Sequence, residues 1–291
     1  MIKFHIFLGT YGTFLVLIHP VLVMLAYGES LSFLYGLDFG NEFAKSVSFG
    51  RLALVLFLVV WITSAILRDK LKYRPWLYIH YVTYPMLGLV FMHAREIGTF
   101  IQSFPLIKLY WNGLSLFFGL LLLLRILRVV NVGKVRYRLS SKKKLKDGVT
   151  EYGFAPVSKK LLPEVGQFVY IKPKFLGETH PFTVMKFEET SGEITFGIKA
   201  VGKFTNQLEG LEKGATVYLD GPYGVFTREG WNNEPKVVIA GGIGVTPFVE
   251  LIRRFGGANT IMFYSNKLLE DAVNRDAFKK ELGVNYIDVI S

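Results

Sequence analysis

Hydrophobic and polar positions are distributed unevenly along the chain. Up to about residue 131, four apolar runs dominate, at 4–27, 47–67, 76–94 and 105–130. Each is close to the twenty or so residues that carry a helix across a bilayer core, so the pattern predicts four spanning helices. Beyond residue 131 the period changes. Short β-branched and aromatic stretches lie at 134–141, 149–155, 167–172, 181–188, 193–200 and 215–219. Glycines and charged pairs separate them, as in Lys146-Asp147-Gly148 and Ser191-Gly192-Glu193. Strands at that spacing predict a small antiparallel β-barrel. A third pattern starts after Asn232-Asn233-Glu234-Pro235. An apolar strand run at 236–240 passes through a glycine turn into an amphipathic stretch, 246–255. A strand at 259–264, a helix at 269–282 and a strand at 285–290 should follow. This is the opening of an α/β, Rossmann-like domain, although two βα units and one strand are too few to complete it. The expected order is an α-helical transmembrane bundle (1–131), a β-barrel (132–230) and a truncated α/β nucleotide domain (231–291).

Composition sharpens this picture. The chain has 291 residues, 51% of them hydrophobic, and a mean hydropathy of +0.34. That is too apolar for an ordinary soluble protein and too charged for one that lies wholly in lipid. The absence of cysteine excludes disulfides, thiolate metal sites and cysteine nucleophiles. The net charge of +11 gathers at the borders of the apolar runs: Arg68, Lys70, Lys72 and Arg74, then Arg125, Arg128, Lys134, Arg136 and Arg138. Loops 28–46 and 95–104 are poor in Lys and Arg. The positive-inside rule then places 68–75 and everything after about 131 in the cytoplasm of a cell-membrane protein. No basic–aromatic nucleic-acid module is present, so nucleic acid is not an expected partner. Lys142-Lys143-Lys144 reads as a solvated hairpin or a membrane-surface contact. The first run lacks a small-residue cleavage site and reads as a span, not a leader.

Four histidines stand inside the apolar runs. His5 and His19 are fourteen residues apart, and His80 and His93 thirteen. Imidazole is costly in lipid unless paired or coordinated. At 1.5 Å per residue, each pair is separated by about 20 Å along its helix. Two such helices side by side would present His5 with His80 and His19 with His93, at two depths. That is the arrangement for two bis-imidazole haems, whose filled axial positions suit them to electron transfer. Helix-packing histidines are the alternative reading for any one of them. Fourteen residues return to within about 40° of one helix face, but thirteen end about 140° away. Pro85 lies between His80 and His93 and can kink or re-wind the helix there.

The soluble part carries further candidates. Gly241-Gly242-Ile243-Gly244-Val245-Thr246-Pro247 joins a buried strand to a helix, where glycines admit a pyrophosphate and the helix N-terminus offers free N–H groups. His180-Pro181-Phe182-Thr183 begins a strand. It combines an aromatic surface, a hydroxyl and phosphate donors, as a flavin requires, but four residues are equally an ordinary strand start. Gly202-Lys203-Phe204-Thr205 could cradle phosphates, or could be a turn into a short helix.

Taken together these motifs resemble the ferric reductase and NADPH oxidase superfamily, in particular its bacterial NADPH-oxidase-like flavocytochromes b. The likeness runs through the histidine spacing, His180 to Thr183, Ile198-Lys199-Ala200-Val201-Gly202-Lys203-Phe204-Thr205, Asp220-Gly221-Pro222-Tyr223-Gly224 and residues 241–248, in that order. The resemblance implies haem ligation by His5 and His80 at the inner site and by His19 and His93 at the outer. It implies FAD at His180, Pro181, Phe182, Thr183, Ile198, Lys199, Gly202, Phe204 and Thr205, with Thr183 beside flavin N5. It implies NAD(P)H at Pro222, Gly224, Gly241, Gly242, Ile243, Gly244, Val245, Thr246, Pro247 and Lys267. The family usually has six helices, with its histidines on the third and fifth, and ends in a Cys-Gly-Pro segment and a terminal aromatic. The first two helices and that ending are missing here. The implied activity is transfer of electrons from cytosolic NAD(P)H through FAD and two haems to an extracellular acceptor, foremost O2. A ferric chelate, or a protein partner served by a haem–flavin subunit, is the alternative acceptor. A non-catalytic, nucleotide-binding membrane sensor is the rival of a different class. Arg95, two residues past His93, is a candidate cation near the outer site or a propionate partner.

Overall fold

The computed structural model describes residues 2–145 and 148–290, so the turn expected at Lys146-Asp147 lies outside the described residues. The chain forms two compact units, Met1–Arg125 and Ile126–Ser291.

The first unit is helical. Helix α1 (Ile2–Tyr27) is apolar on all sides, and most of its side chains stand exposed. Helix α2 (Glu42–Trp61) begins where the Asn41 side chain accepts the Ala44 N–H, and continues as a π-helical turn, Ile62–Ile66. Helices α3 (Tyr73–His80) and α4 (Thr83–Ile97) follow, then α5 (Thr99–Ser103) and α6 (Pro105–Val129). Among the described residues, three helices are long and apolar enough to cross a membrane: Lys3–Tyr27, Glu42–Ile66 and Pro105–Val129. The expected third span, 76–94, is therefore not one helix. It breaks at Tyr81 and Val82 because Pro85 has no N–H to donate to the Tyr81 carbonyl. That carbonyl instead accepts the Tyr84 N–H at 3.1 Å, a tighter turn that re-winds the chain between the two histidines. Helix α4 packs against α2, and the Trp111 indole of α6 donates to the Phe91 carbonyl of α4.

The second unit opens with an antiparallel sheet of seven strands: β1 (Val135–Lys144), β2 (Val149–Pro156), β3 (Phe168–Lys172), β4 (His180–Thr183), β5 (Lys186–Phe187), β6 (Ile194–Lys199) and β7 (Thr216–Tyr223). Their order is β4-β3-β7-β1-β2-β6-β5. The edge strands β4 and β5 are joined by Val184 and Met185, whose N–H groups donate to Gln167 and Thr195 on opposite sides. The sheet thus returns on itself around a core of Tyr137, Leu139, Phe154, Val169, Phe196 and Leu219. The expected single strand 181–188 is split at this junction. The lysine run ends β1 as an exposed part of its antiparallel pairing with β2, and the Lys142 ammonium donates to the Glu209 and Leu211 carbonyls. Helix α7 (Lys203–Glu209) follows β6.

A parallel sheet of order β10-β9-β8 completes the unit: β8 (Lys236–Gly241), β9 (Thr260–Asn266) and β10 (Tyr286–Ile290). Helices α8 (Thr246–Phe255) and α9 (Arg275–Leu282) cover one face. On the other face Val237, Ile239, Ile261, Phe263, Ile287 and Val289 are exposed. The helix expected over 269–282 starts late, at Arg275, after Asn274 takes a left-handed φ of 56°.

Candidate functional site

Among the described residues α1 does not pack closely on α3 or α4. Histidines reach across the gap instead. His5 and His80 have ring centroids 6.2 Å apart at an interplanar angle of 79°, and His19 and His93 are also 6.2 Å apart, at 81°. The separation exceeds ring contact. A metal bonded to one nitrogen of each ring at about 2.0 Å would hold the centroids about 6 Å apart. Both pairs have this spacing despite the unequal intervals, because the break before Pro85 supplies the missing rotation. Among the described residues no three His, Asp or Glu side chains converge as a metal site. The donor set is two separate imidazole pairs, which fits a cofactor that brings its own equatorial ligands.

Each pair has supporting groups that the sequence did not reveal. The His93 Nδ1 lies 2.9 Å from the buried Ser46 carbonyl. A carbonyl only accepts, so Nδ1 carries the proton and Nε2 is left with its lone pair, the tautomer a metal requires. Gly50, one turn further along α2, packs against the same ring: a Cβ there would come within 2.5 Å of Cε1 and 3.0 Å of Cγ. At the other depth, His80 Nδ1 lies 3.3 Å from Ser64 Oγ, and the Trp76 indole stacks on His80 at 5.1 Å. A glycine inside an apolar helix was the one available hint of close packing. Arg95 pairs with Glu96 at 3.5 Å.

In the barrel, strand register sorts the expected flavin tetrapeptide onto two faces. His180 and Phe182 pair with the buried Ile171 and Val169, and Pro181 and Thr183 with Tyr170 and Phe168. His180 stacks on Phe204 at 4.0 Å, and Phe182 lies 5.9 Å from the same ring. Phe204 and Ile198 are core residues, 6% and 3% exposed, so their side chains shape the site from beneath. On the Thr183 side, Phe168, Tyr170 and Tyr223 form a cluster of mutually inclined aromatic rings with centroids 5.7–5.9 Å apart, which the sequence did not reveal. The Tyr223 hydroxyl donates to Asp220 at 2.7 Å, and this bond, with burial and the carboxylate charge, raises the phenol pKa. Pro222 and Gly224 flank it, and a Cβ on Gly224 would meet the Phe168 ring at 3.1 Å. Thr205 Oγ1 accepts the Val201 and Gly202 N–H groups and closes the turn into α7. Lys199 ends β6 beside it.

The glycine turn is built as the sequence suggested. β8 ends at Gly241, Gly242 takes φ +49°, a 3-10 turn spans Gly242–Val245, and Pro247 sits in the first turn of α8. A Cβ on Gly241, Gly242 or Gly244 would meet nothing within 4 Å, so the turn faces open space. The underside is packed: Val245 is fully buried and Thr246 nearly so. Gly197 of β6 admits Ile243 and Thr246, which a Cβ there would meet at 3.3 Å. The Tyr264 hydroxyl donates to the Gly242 carbonyl at 2.9 Å. Lys267 is exposed just beyond β9.

Comparison with known proteins agrees with this organisation. Residues 1–91 match the family described as ferric reductase like transmembrane component, and residues 136–227 the oxidoreductase FAD-binding domain. Ferric reduction oxidase 5 of Arabidopsis thaliana is 25% identical over 304 residues, covering 99% of this chain and 39% of its own length. Dual oxidase 1 of Canis lupus familiaris is 37% identical over 101 residues, 30% of this chain and 6% of its own. The chain thus spans well under half of these relatives. The solved CS-b5R domains of human Ncb5or superpose on 54% of this chain and 52% of that one, with 24% identity and a TM-score of 0.48. The chain is an integral membrane protein homologous to the ferric reduction oxidases and dual oxidases, with a ferric-reductase-like transmembrane part followed by an FAD-binding domain.

Proposed function

We propose that this homologue of the ferric reduction oxidases carries electrons from NAD(P)H through FAD and two bis-histidine b-type haems to an acceptor across the membrane, foremost O2. The carrying observation is the pair of histidine pairs, equally spaced at 6.2 Å and set at two depths of one helical unit that precedes an FAD-binding domain. When bound, the flavin would exchange a hydride for single electrons and the haems would pass those electrons one at a time.

The chain's own residues divide the work. His5 and His80 would hold the inner haem, His19 and His93 the outer. Ser46 fixes the His93 tautomer. The aromatic trio of Phe168, Tyr170 and Tyr223 offers an apolar wall to a flavin ring, and the Thr183 hydroxyl stands on that side as a partner for N5. The open Gly241–Gly244 turn and the N-terminus of α8 would receive a dinucleotide pyrophosphate. The basic residues of 68–74 and 125–138 support a cytoplasmic position for the barrel and the α/β domain of a cell-membrane protein. His19 and His93 would hold the outer haem, which when bound would supply single electrons to O2. A ferric chelate is the second acceptor, favoured by the ferric reduction oxidase relatives.

The test uses the full chain loaded with haem and FAD. With NADPH or NADH as donor, O2 consumption yielding superoxide supports the oxidase reading, and reduction of a ferric chelate without O2 consumption supports the reductase. His93→Leu should leave one haem reducible while abolishing acceptor reduction. His80→Leu should stop electrons at the flavin. If His93→Leu blocked all haem reduction while His80→Leu spared it, the assigned direction would be inverted.

A further inference from the structure

The His80 side of the inner pair carries an arrangement of side chains that ligation alone does not require. The π-helical turn Ile62–Ile66 at the end of α2 interrupts an otherwise regular helix. Single π turns cost hydrogen-bond regularity and recur at functional positions, where they re-aim a side chain. Here the re-aimed residue is Ser64. Its Oγ lies 3.2 Å from the Trp76 Nε1 and 3.3 Å from the His80 Nδ1. Indole N–H only donates, so Ser64 accepts from Trp76. A hydroxyl oxygen has a second lone pair, which can take the His80 Nδ1–H and leave Nε2 free of its proton.

Trp76 also lies over the His80 ring, with centroids 5.1 Å apart and planes at 27°. The Arg68 guanidinium sits over the Trp76 ring, 4.5 Å from its centroid. The result is a column of guanidinium, indole and imidazole. Among the described residues the His93 ring has no such column, and its partners are the Ser46 carbonyl and Gly50. A fixed positive charge favours the reduced, less positive form of a nearby redox centre, and more strongly where water is scarce.

We propose that Ser64, Trp76 and Arg68 are positioning residues for His80. Ser64 fixes the imidazole tautomer, Trp76 fixes the ring plane, and Arg68 raises the reduction potential of the haem that His80 holds, leaving the other haem unaffected. The proposal rests on the reading of His80 as a haem ligand, and it assigns to this basic residue a role besides setting membrane orientation.

The experiment is a potentiometric titration of the full, haem-loaded chain, followed in the visible spectrum, for wild type, Arg68→Gln, Arg68→Lys and Trp76→Phe. A second measurement follows haem loss from Ser64→Ala and Ser64→Thr to an apo-globin scavenger. At a fixed poise, Arg68→Gln should shift the ferrous fraction of one haem several-fold toward ferric, with the second wave unmoved and two haems retained. Arg68→Lys should restore most of the shift, and Trp76→Phe should give an intermediate one. Ser64→Ala should lose one haem several-fold faster, and Ser64→Thr at the wild-type rate. Unchanged waves in Arg68→Gln and Trp76→Phe, or equal displacement of both waves, would overturn the proposal while leaving ligation intact. If His80→Ala still bound two haems, the ligand reading itself would fail, and this proposal with it.

Discussion

Gly50→Ala is the most economical perturbation of the outer histidine pair. The added Cβ would lie 2.5 Å from the His93 Cε1 and 3.0 Å from Cγ, whereas ordinary carbon contacts are about 3.5–4.0 Å. The imidazole must withdraw by roughly 1 Å to relieve that overlap. Its Nδ1 is held 2.9 Å from the Ser46 carbonyl, and the same displacement would stretch this bond to about 3.9 Å, outside hydrogen-bonding range. The buried carbonyl would then lose its partner at a cost of about 1–3 kcal/mol. Metal–ligand distances tolerate about 0.2 Å, so coordination cannot absorb the displacement. Loss of such a supporting bond typically weakens metal binding about 10–100-fold. We expect purified Gly50→Ala to retain FAD and one haem and to lose the other, measured as haem per chain by pyridine haemochrome. Gly113→Ala, where a Cβ meets nothing within 4 Å, is the control and should keep both. Two tightly held haems with an unaltered spectrum in Gly50→Ala would refute the reasoning.

Three further outcomes can be checked. Thr183→Ala should slow flavin reduction by NAD(P)H more than it weakens FAD retention, because the hydrogen bond at N5 changes during hydride transfer; equal rates in stopped-flow would remove Thr183 from that role. Asn131 accepts from Lys172 at 2.8 Å and Lys134 at 3.2 Å and donates to the Phe175 carbonyl at 2.8 Å, so Asn131→Ala leaves the buried Lys172 ammonium with the Val129 carbonyl at 2.7 Å and should destabilise the second unit by about 1–3 kcal/mol in a denaturant melt. At Glu250, burial pushes the carboxyl pKa up, but the Arg253 and Arg254 guanidiniums more than offset it, so the net shift is downward. The resulting stabilisation is present above the unfolded-state value and fades as pH falls through the lowered folded value. Because both arginines are partly exposed, Glu250→Gln should cost only about 1–2 kcal/mol at neutral pH and flatten the acid limb of the stability profile.

Strand positions were legible in the sequence because β-branched and aromatic stretches are set apart by glycines and charged pairs, and β1 to β7 fall within a few residues of those stretches. The glycine turn was legible for a similar reason: strand, glycines and a proline-started helix are all local features. What escaped was set by distant partners. The break at Tyr81 and Val82 follows from Pro85, but its consequence, bringing both histidine pairs to equal spacing, depends on where α1 lies. Ser46, at the edge of an apolar run, and Ser64, within it, look like unremarkable small residues, and only the fold shows that the Ser46 carbonyl and the Ser64 hydroxyl each face a histidine nitrogen. Phe168, Tyr170 and Tyr223 belong to β3 and β7, far apart in sequence and adjacent only through the register. The expected faces of His180 to Thr183 could not be assigned until Val169 and Ile171 were seen to define the inside of β3.

The proposed electron path requires four imidazoles acting as two haem-binding pairs. Its most direct test is the haem content and spin state of the purified, fully loaded chain, by pyridine haemochrome and low-temperature electron paramagnetic resonance, beside His19→Ala and His80→Ala. Two low-spin b-type haems per chain are expected, with the strongly anisotropic signals of crossed imidazole planes that follow from interplanar angles of 79° and 81°, and a different single haem remaining in each variant. One haem or none in the loaded wild type, or a high-spin iron with an open axial position, would contradict it.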